Sequence, residues 1–254
     1  MKIAEILKIF DNAAPLSLSA DAQKNIGFYD NSGLLIDCAT DTDTVVCALD
    51  LNNAVIDKAI ELNAKLIITH HPAIYHPIKN IQGLYSRAAV NGISIYSAHL
   101  CLDSAFGGID DGLAQMAGCV GEAKIVLYVN ETNGFGRIFS VEQQTAESIV
   151  NRVIATLNTN KYMFFGDKNT IVNSVATFCG AGLNDGGVNA AINSELLISA
   201  DIPHHVLLNA LEKGKCVLQL THYASEAYVM KNFCEKLFSQ NKINSYFYAD
   251  ERFL

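Results

Sequence analysis

Six side chains of this sequence have the types and spacing of metal ligands. His70 and His71 are adjacent and run into Pro72, His99 precedes Asp103 by four residues, and His222 precedes Glu226 by four. Neighbouring side chains on an extended strand point to opposite faces, so two adjacent imidazoles can splay around metal only where a strand ends in a turn. Pro72 fixes its own φ and pushes His71 towards an extended conformation, which stiffens such a turn. The His-x-x-x-acid spacing keeps a nitrogen and an oxygen donor within one turn of backbone. We expect each of these two His to end a strand and each acid to open the next element. An acid there also has a plainer use, since it complements a helix dipole or caps a turn.

Neutral imidazoles with carboxylates suit Zn²⁺, Fe²⁺, Mn²⁺, Co²⁺ or Ni²⁺ rather than Ca²⁺, which takes shells of oxygen. Five or six protein ligands exceed what one open catalytic ion takes. Two divalent transition-metal ions ~3.5–4 Å apart, bridged by a carboxylate, would use them all and could activate water while clamping a carbonyl or phosphoryl oxygen. No Ser/His/Asp nucleophile motif, Walker loop or dinucleotide fingerprint competes with this chemistry. Two further features stand near it. His204-His205 forms a second imidazole pair, and Gly180-Ala181-Gly182 leads into a predicted helix, where it serves close packing or cradles a phosphate. The seven Cys are scattered without Cys-x-x-Cys spacing and read as reduced, packed thiols, Cys101 alone lying between two candidate ligands.

The elements that must carry these residues alternate between strand and helix. After an amphipathic N-terminal helix and a polar segment around 15–30, the Asp30-Asn31-Ser32-Gly33 turn starts a strand at 34–36. Further strands are expected at 44–49 and 65–69 around a helix at 53–63; the run Leu66-Ile67-Ile68 does not alternate, which suits a strand covered on both faces. Strands at 125–130 and 135–141 flank a turn, Thr145 caps a helix to Leu157, and strands near 161–165 and 174–179 precede a helix through Ile192. Residues 227–238 form a last amphipathic helix. The stretch from Ala64 to His71 matches that from Ser194 to Asp201, about 130 residues on, and His99/Asp103 matches His222/Glu226 at about 123. The expected fold is therefore α/β with two related lobes: residues 1–124 completed by 215–254, and residues 125–214, with strand ends facing one another across the ligands.

Composition narrows the classes. Half of the 254 residues are apolar, so the chain is globular. A net charge of −8 weighs against a nucleic-acid surface, whose affinity comes mainly from Lys and Arg. No apolar run reaches the ~18–20 residues that span a bilayer, and the N-terminus lacks the pattern of a signal peptide. A cytoplasmic location and no membrane partner are expected.

Four blocks, Asp30-Asn31-Ser32-Gly33-Leu34-Leu35, His70-His71-Pro72, His99-Leu100-Cys101-Leu102-Asp103 with Gly107-Gly108, and Thr221-His222-Tyr223-Ala224-Ser225-Glu226, resemble the NIF-three-like dinuclear-metal family, whose bacterial members are labelled GTP cyclohydrolase 1 type 2-like. The resemblance runs from about residue 8 to the C-terminus. It implies a two-lobed α/β protomer with a dinuclear site between the lobes, and a ring-shaped homohexamer. It places the metal ligands on His70, His71, Asp103, His222 and Glu226, with His99 in or just outside the ligand shell. In the hydrolase reading, His99 or a carboxylate is expected to handle the proton, which makes His99 the catalytic candidate. Two positions depart from the family pattern: Tyr29 stands where Trp is usual, and Thr221 where Gly is usual, a larger residue that could crowd the ligand's backbone. The function implied is hydrolysis of a nucleotide-like or phosphorylated small molecule. The alternative is a non-catalytic metal carrier or metal-sensing protein using the same ligands; an interaction protein or nucleic-acid clamp fits the charge less well.

Overall fold

The computed structural model describes residues 1–253. In chain order the first elements are α1 (Ile3–Ala13), α2 (Ser17–Ile26), β1 (Gly33–Ile36), β2 (Thr44–Ala48), α3 (Asn53–Glu61), β3 (Leu66–Thr69), α4 (Leu84–Val90), β4 (Ser94–Ser97) and α5 (Leu100–Ser104). There follow α6 (Ile109–Met116), β5 (Val120–Tyr128), β6 (Gly134–Thr145), α7 (Ala146–Leu157), β7 (Tyr162–Phe165), β8 (Ile171–Thr177), α8 (Asp185–Ala190) and β9 (Leu196–Ala200). The last are α9 (His204–Glu212), β10 (Cys216–Leu220), α10 (His222–Gln240) and β11 (Asn244–Tyr248). Two compact units result, Met1–Phe106 with Met230–Ala249 and Gly107–Val229 with Asp250–Leu254.

In the first unit the sheet order is β1-β4-β3-β2-β11, with β4, β3, β2 and β11 parallel and β1 antiparallel at the edge. β3 and β4 are buried along their whole length. The unbroken apolar run of Leu66-Ile67-Ile68 suits β3 to this, while β4 brings Ser94 and Ser97 into the interior with Ile95 and Tyr96. One face packs Val46, Ile67 and Ile95 against Val55, Ile56 and Ala59 of α3. Alternation sends Tyr96 to the other face, where its ring meets Phe10 of α1 at 5.7 Å. Asn52 starts α3 by accepting from the Val55 N–H at 3.0 Å. The polar segment around 15–30 contains α2, a helix not expected there. Only Leu18, Ser19 and Ala22 are buried on it, a stripe too narrow to show a helical period, and packing against α5 rather than sequence pattern holds it.

In the second unit the order is β5-β6-β8-β9-β10-β7. Strands β8, β9 and β10 are parallel, and β7 is antiparallel to β10. Thr145 caps α7 as expected, accepting from Ser148 N at 3.2 Å. The compact units divide at other residues than the expected lobes. Residues 107–124 and 215–229 belong to the second unit, because β10 takes its hydrogen bonds from β9 and β7 and not from any strand of the first sheet. The internal repeat, in contrast, is present in the topology. The order β1-β4-β3-β2 of one sheet is reproduced by β7-β10-β9-β8 in the other, with the same parallel and antiparallel senses. In each unit the His-bearing segments leave the C-terminal ends of parallel strands, where open α/β sheets place their ligands.

Candidate functional site

In the first unit the ladder between β2 and β3 continues through the His pair. His70 N donates to Ala48 O at 3.1 Å and His71 N to Leu49 O at 3.0 Å. The turn beyond is tied down by Thr69, whose Oγ1 donates to His71 O at 2.8 Å and accepts from Ser97 Oγ, while Ser97 Oγ accepts from Ala73 N at 3.0 Å. His70 is fully buried; its Nδ1 lies 2.8 Å from Ala98 O and its Nε2 3.3 Å from Asp103 Oδ1. His71 Nδ1 lies 2.7 Å from Asp50 Oδ1. His99, between β4 and α5, has Nδ1 3.0 Å from Asp30 Oδ1, and its N–H donates to Ser32 Oγ at 2.9 Å. Burial pushes the Asp30 carboxyl up, but hydrogen bonds from His99 and Ser32 outweigh it and hold the group at about 2, firmly ionised. Ligand atoms of His70, His71 and His99 all fall within 4.8 Å of one another.

In the second unit Thr221 Oγ1 accepts from Ala224 N at 3.1 Å, so the residue that departs from the family pattern is a helix cap. His222 opens α10 and Glu226 lies one turn along the same helix, which corrects the expectation that this His ends a strand. The strand stops at Leu220 and the cap at Thr221 turns the chain into the helix before His222 is reached. His222 Nε2 stands 3.2 Å from the buried Glu226 Oε1, and its Nδ1 2.6 Å from Asp201 Oδ2. Gly180 closes over this pair. A Cβ there would meet Glu226 Oε1 at 2.3 Å and the His222 ring at 3.0 Å, and the residue has φ +48°. Its N–H donates to Ser225 Oγ at 3.0 Å and its carbonyl accepts from Ala200 N at 2.9 Å. The Gly180-Ala181-Gly182 run thus serves close approach to ligand side chains, and α8 begins only at Asp185.

These donors fit a divalent transition metal. Two ligand atoms about 2.0–2.2 Å from one ion stand roughly 3.0–3.5 Å apart in tetrahedral or octahedral geometry, and the His70–Asp103 and His222–Glu226 separations of 3.3 and 3.2 Å lie in that range. The structure thus gathers His70, His71, His99 and Asp103 in the first unit and pairs His222 with Glu226 in the second. It leaves out the second imidazole pair: His204 and His205 open α9 on the surface, with His205 3.9 Å from Asp185. Cys101 is buried, burial pushes its thiol up to about 12, and it joins no ligand cluster among the described residues. Sequence reasoning missed Asp50 and Asp201 as members of the site. Their signal was a lone acid just past an apolar strand, which also describes many turns.

A family model described as Duf34/NIF3 (NGG1p interacting factor 3) matches residues 1–251. The chain is 29% identical to the GTP cyclohydrolase 1 type 2 homolog of Clostridium perfringens, over 93% of this chain and 91% of that one. It is 27% identical to NIF3-like protein 1 of Drosophila melanogaster, over 92% and 80%. Among solved structures, reduced HcgD from Methanocaldococcus jannaschii superposes with a TM-score of 0.80 at 26% identity, covering 97% of each chain. The Staphylococcus aureus hypothetical protein SA1388 does so with 0.83 at 23% identity, covering 99% and 96%, a likeness of fold. No helix among the described residues is long and apolar enough to cross a membrane.

Proposed function

This chain belongs to the Duf34/NIF3 family, and from that premise we propose that it is a metal-dependent hydrolase whose His70, His71, Asp103, His222 and Glu226 hold two divalent transition-metal ions. The observation that carries the reading is the pair of buried carboxylates, Asp103 and Glu226, each set 3.2–3.3 Å from an imidazole Nε2. Desolvating a carboxylate is costly unless a cation compensates it. Divalent ions supply Lewis acidity, polarising a carbonyl or phosphoryl oxygen and acidifying water. The chain's own residues do the rest. Asp103 and Glu226 set the charge of the site, the Thr69–Ser97 network fixes the turn that aims His70 and His71, and His99, held at Nδ1 by Asp30, takes and returns a proton at Nε2. The name carried by the relatives, GTP cyclohydrolase 1 type 2 homolog, makes a nucleotide-like or phosphorylated small molecule the substrate class.

The test is metal content per chain on protein purified without a His-tag, followed by turnover of GTP and a panel of phosphoesters. About two transition-metal ions per chain and product release that Glu226→Gln abolishes are expected. Absence of metal even after reconstitution removes the reading. Metal without turnover, passed readily to an apo acceptor, replaces it with the metal-carrier alternative. Sedimentation of the same preparation tests the ring-shaped homohexamer that the family resemblance implies, expected near six times the 27.6 kDa of the chain.

A further inference from the structure

Each imidazole of the two ligand groups has its Nδ1 engaged by an oxygen, and for three of the four that oxygen belongs to a carboxylate outside the ligand set. Asp50 stands 2.7 Å from His71, Asp30 3.0 Å from His99 and Asp201 2.6 Å from His222; His70 uses the Ala98 carbonyl at 2.8 Å. A carbonyl or an ionised carboxylate only accepts, so in every case Nδ1 must carry the proton. Two of the three acids are placed by sheet register. Ala48 pairs with Thr69 across parallel strands β2 and β3, so Asp50 lies level with His71. Ala200 pairs with Leu220 across β9 and β10, so Asp201 lies level with Thr221, next to His222. Asp201 also holds φ +44°, a left-handed conformation that only a few non-glycine residues keep. Such an outlier at a strand end points to a functional constraint.

We propose that Asp30, Asp50 and Asp201 are positioning residues that lock His99, His71 and His222 in the Nδ1–H tautomer, so that each presents Nε2 as a bare donor. A carboxylate behind a ligating imidazole fixes ring orientation and raises ligand basicity, and its loss typically weakens metal binding 10–100-fold. Asp50 and Asp201 have 49% and 58% of their side chains exposed, so these pairs add little to folding. Their loss therefore reads on the ligand and not on the fold. Affinity as a readout rests on the metal-binding proposal above; the tautomer itself does not.

Two measurements test this. Long-range ¹H–¹⁵N correlation spectra of metal-free, ¹⁵N-histidine-labelled protein should show His71, His99 and His222 as Nδ1–H tautomers. Zn²⁺ affinity, by competition with a chromophoric chelator, should fall 10–100-fold in Asp50→Ala and Asp201→Ala and less in the Asn variants, whose Oδ1 still accepts. Melting of the metal-free variants should stay at the wild-type temperature, and the exposed Asp43→Asn should bind Zn²⁺ as wild type does. Nε2–H tautomers at these His, or Ala variants within twofold of wild type, would overturn the inference. A wild-type chain that binds no Zn²⁺ refutes the metal reading instead, and the spectrum alone then decides the tautomer, as it also does if an Ala variant fails to fold.

Discussion

A methyl group at position 180 would stand 2.3 Å from Glu226 Oε1 and 3.0 Å from the His222 ring, on a backbone with φ +48°. Neither neighbour can yield freely. Glu226 is buried, and His222 is held by Asp201 at 2.6 Å. The Gly180 backbone is itself fixed at both ends, by Ser225 Oγ and Ala200 N. Gly180→Ala should therefore displace the Glu226 carboxylate. Left-handed backbone also costs a side-chain-bearing residue about 1–2 kcal/mol. We expect Zn²⁺ affinity to fall at least tenfold, with the far-UV spectrum kept and the melting temperature lowered by a few degrees, as calorimetry and chelator competition would read. Wild-type affinity in this variant would mean that Glu226 has more room than the structure gives it. The glycine run was visible in the sequence, but its purpose was not, since tight packing and phosphate cradling leave the same residues.

At the scale of elements, Asp110 on α6 ties one helix to two strands. Its Oδ2 accepts from Gly136 N in β6 at 2.7 Å and its Oδ1 from Cys179 N, just past β8, at 2.9 Å, and the side chain is buried. Removing the carboxylate strands two buried N–H groups, each costing about 1–3 kcal/mol. Asp110→Ala should thus destabilise the second unit by roughly 2–5 kcal/mol, measured by urea unfolding, while amides of β2 and β3 keep their exchange protection. A loss under 1 kcal/mol would show that other donors or water take over. Cys179 adjoins Gly180, so the variant should also weaken Zn²⁺ binding. Nothing in the sequence marks Asp110; it sits in Ile109-Asp110-Asp111-Gly112, which reads as an ordinary acidic first turn. Strands β3 and β9 were legible because burial on both faces leaves an unbroken apolar run, Leu66-Ile67-Ile68 and Leu196-Leu197-Ile198. Edge strand β11 was not, because Asn244-Ser245-Tyr246-Phe247-Tyr248 is only half-covered and its pairing partner, β2, lies some 200 residues earlier. The candidate ligands were legible as types and spacings. Their orienting acids were not, because strand register, which no local pattern encodes, brings Asp50 to His71 and Asp201 beside His222.

The molecule as a whole carries a net charge of −8, and raising the pH adds negative charge to a chain that already repels itself. Against that background buried thiols such as Cys47 and Cys101 set a sharper alkaline limit, and Cys47 can be isolated by substitution. Burial pushes the Cys47 thiol well above its ordinary 9.0, and the neighbouring Cys234 adds to the shift. A group whose folded pKa is raised stabilises the native state fully below the unfolded value and loses that contribution as pH climbs towards the folded one. Above about pH 9 the unfolded chain releases this proton while the native chain keeps it, so stability should fall by up to about 1.4 kcal/mol per pH unit from this thiol. Cys47 lies in the first compact unit. If the two units unfold in separate transitions, only the one belonging to that unit should carry the slope; if they unfold together, the single transition carries it. Calorimetry of metal-free protein between pH 7 and 10.5, wild type against Cys47→Ala, distinguishes these outcomes. The variant should be less stable at neutral pH, where it lacks a buried side chain, and should close the gap as pH rises. Parallel curves with an unchanging gap would mean that the Cys47 thiol ionises as readily in the native chain as in the unfolded one.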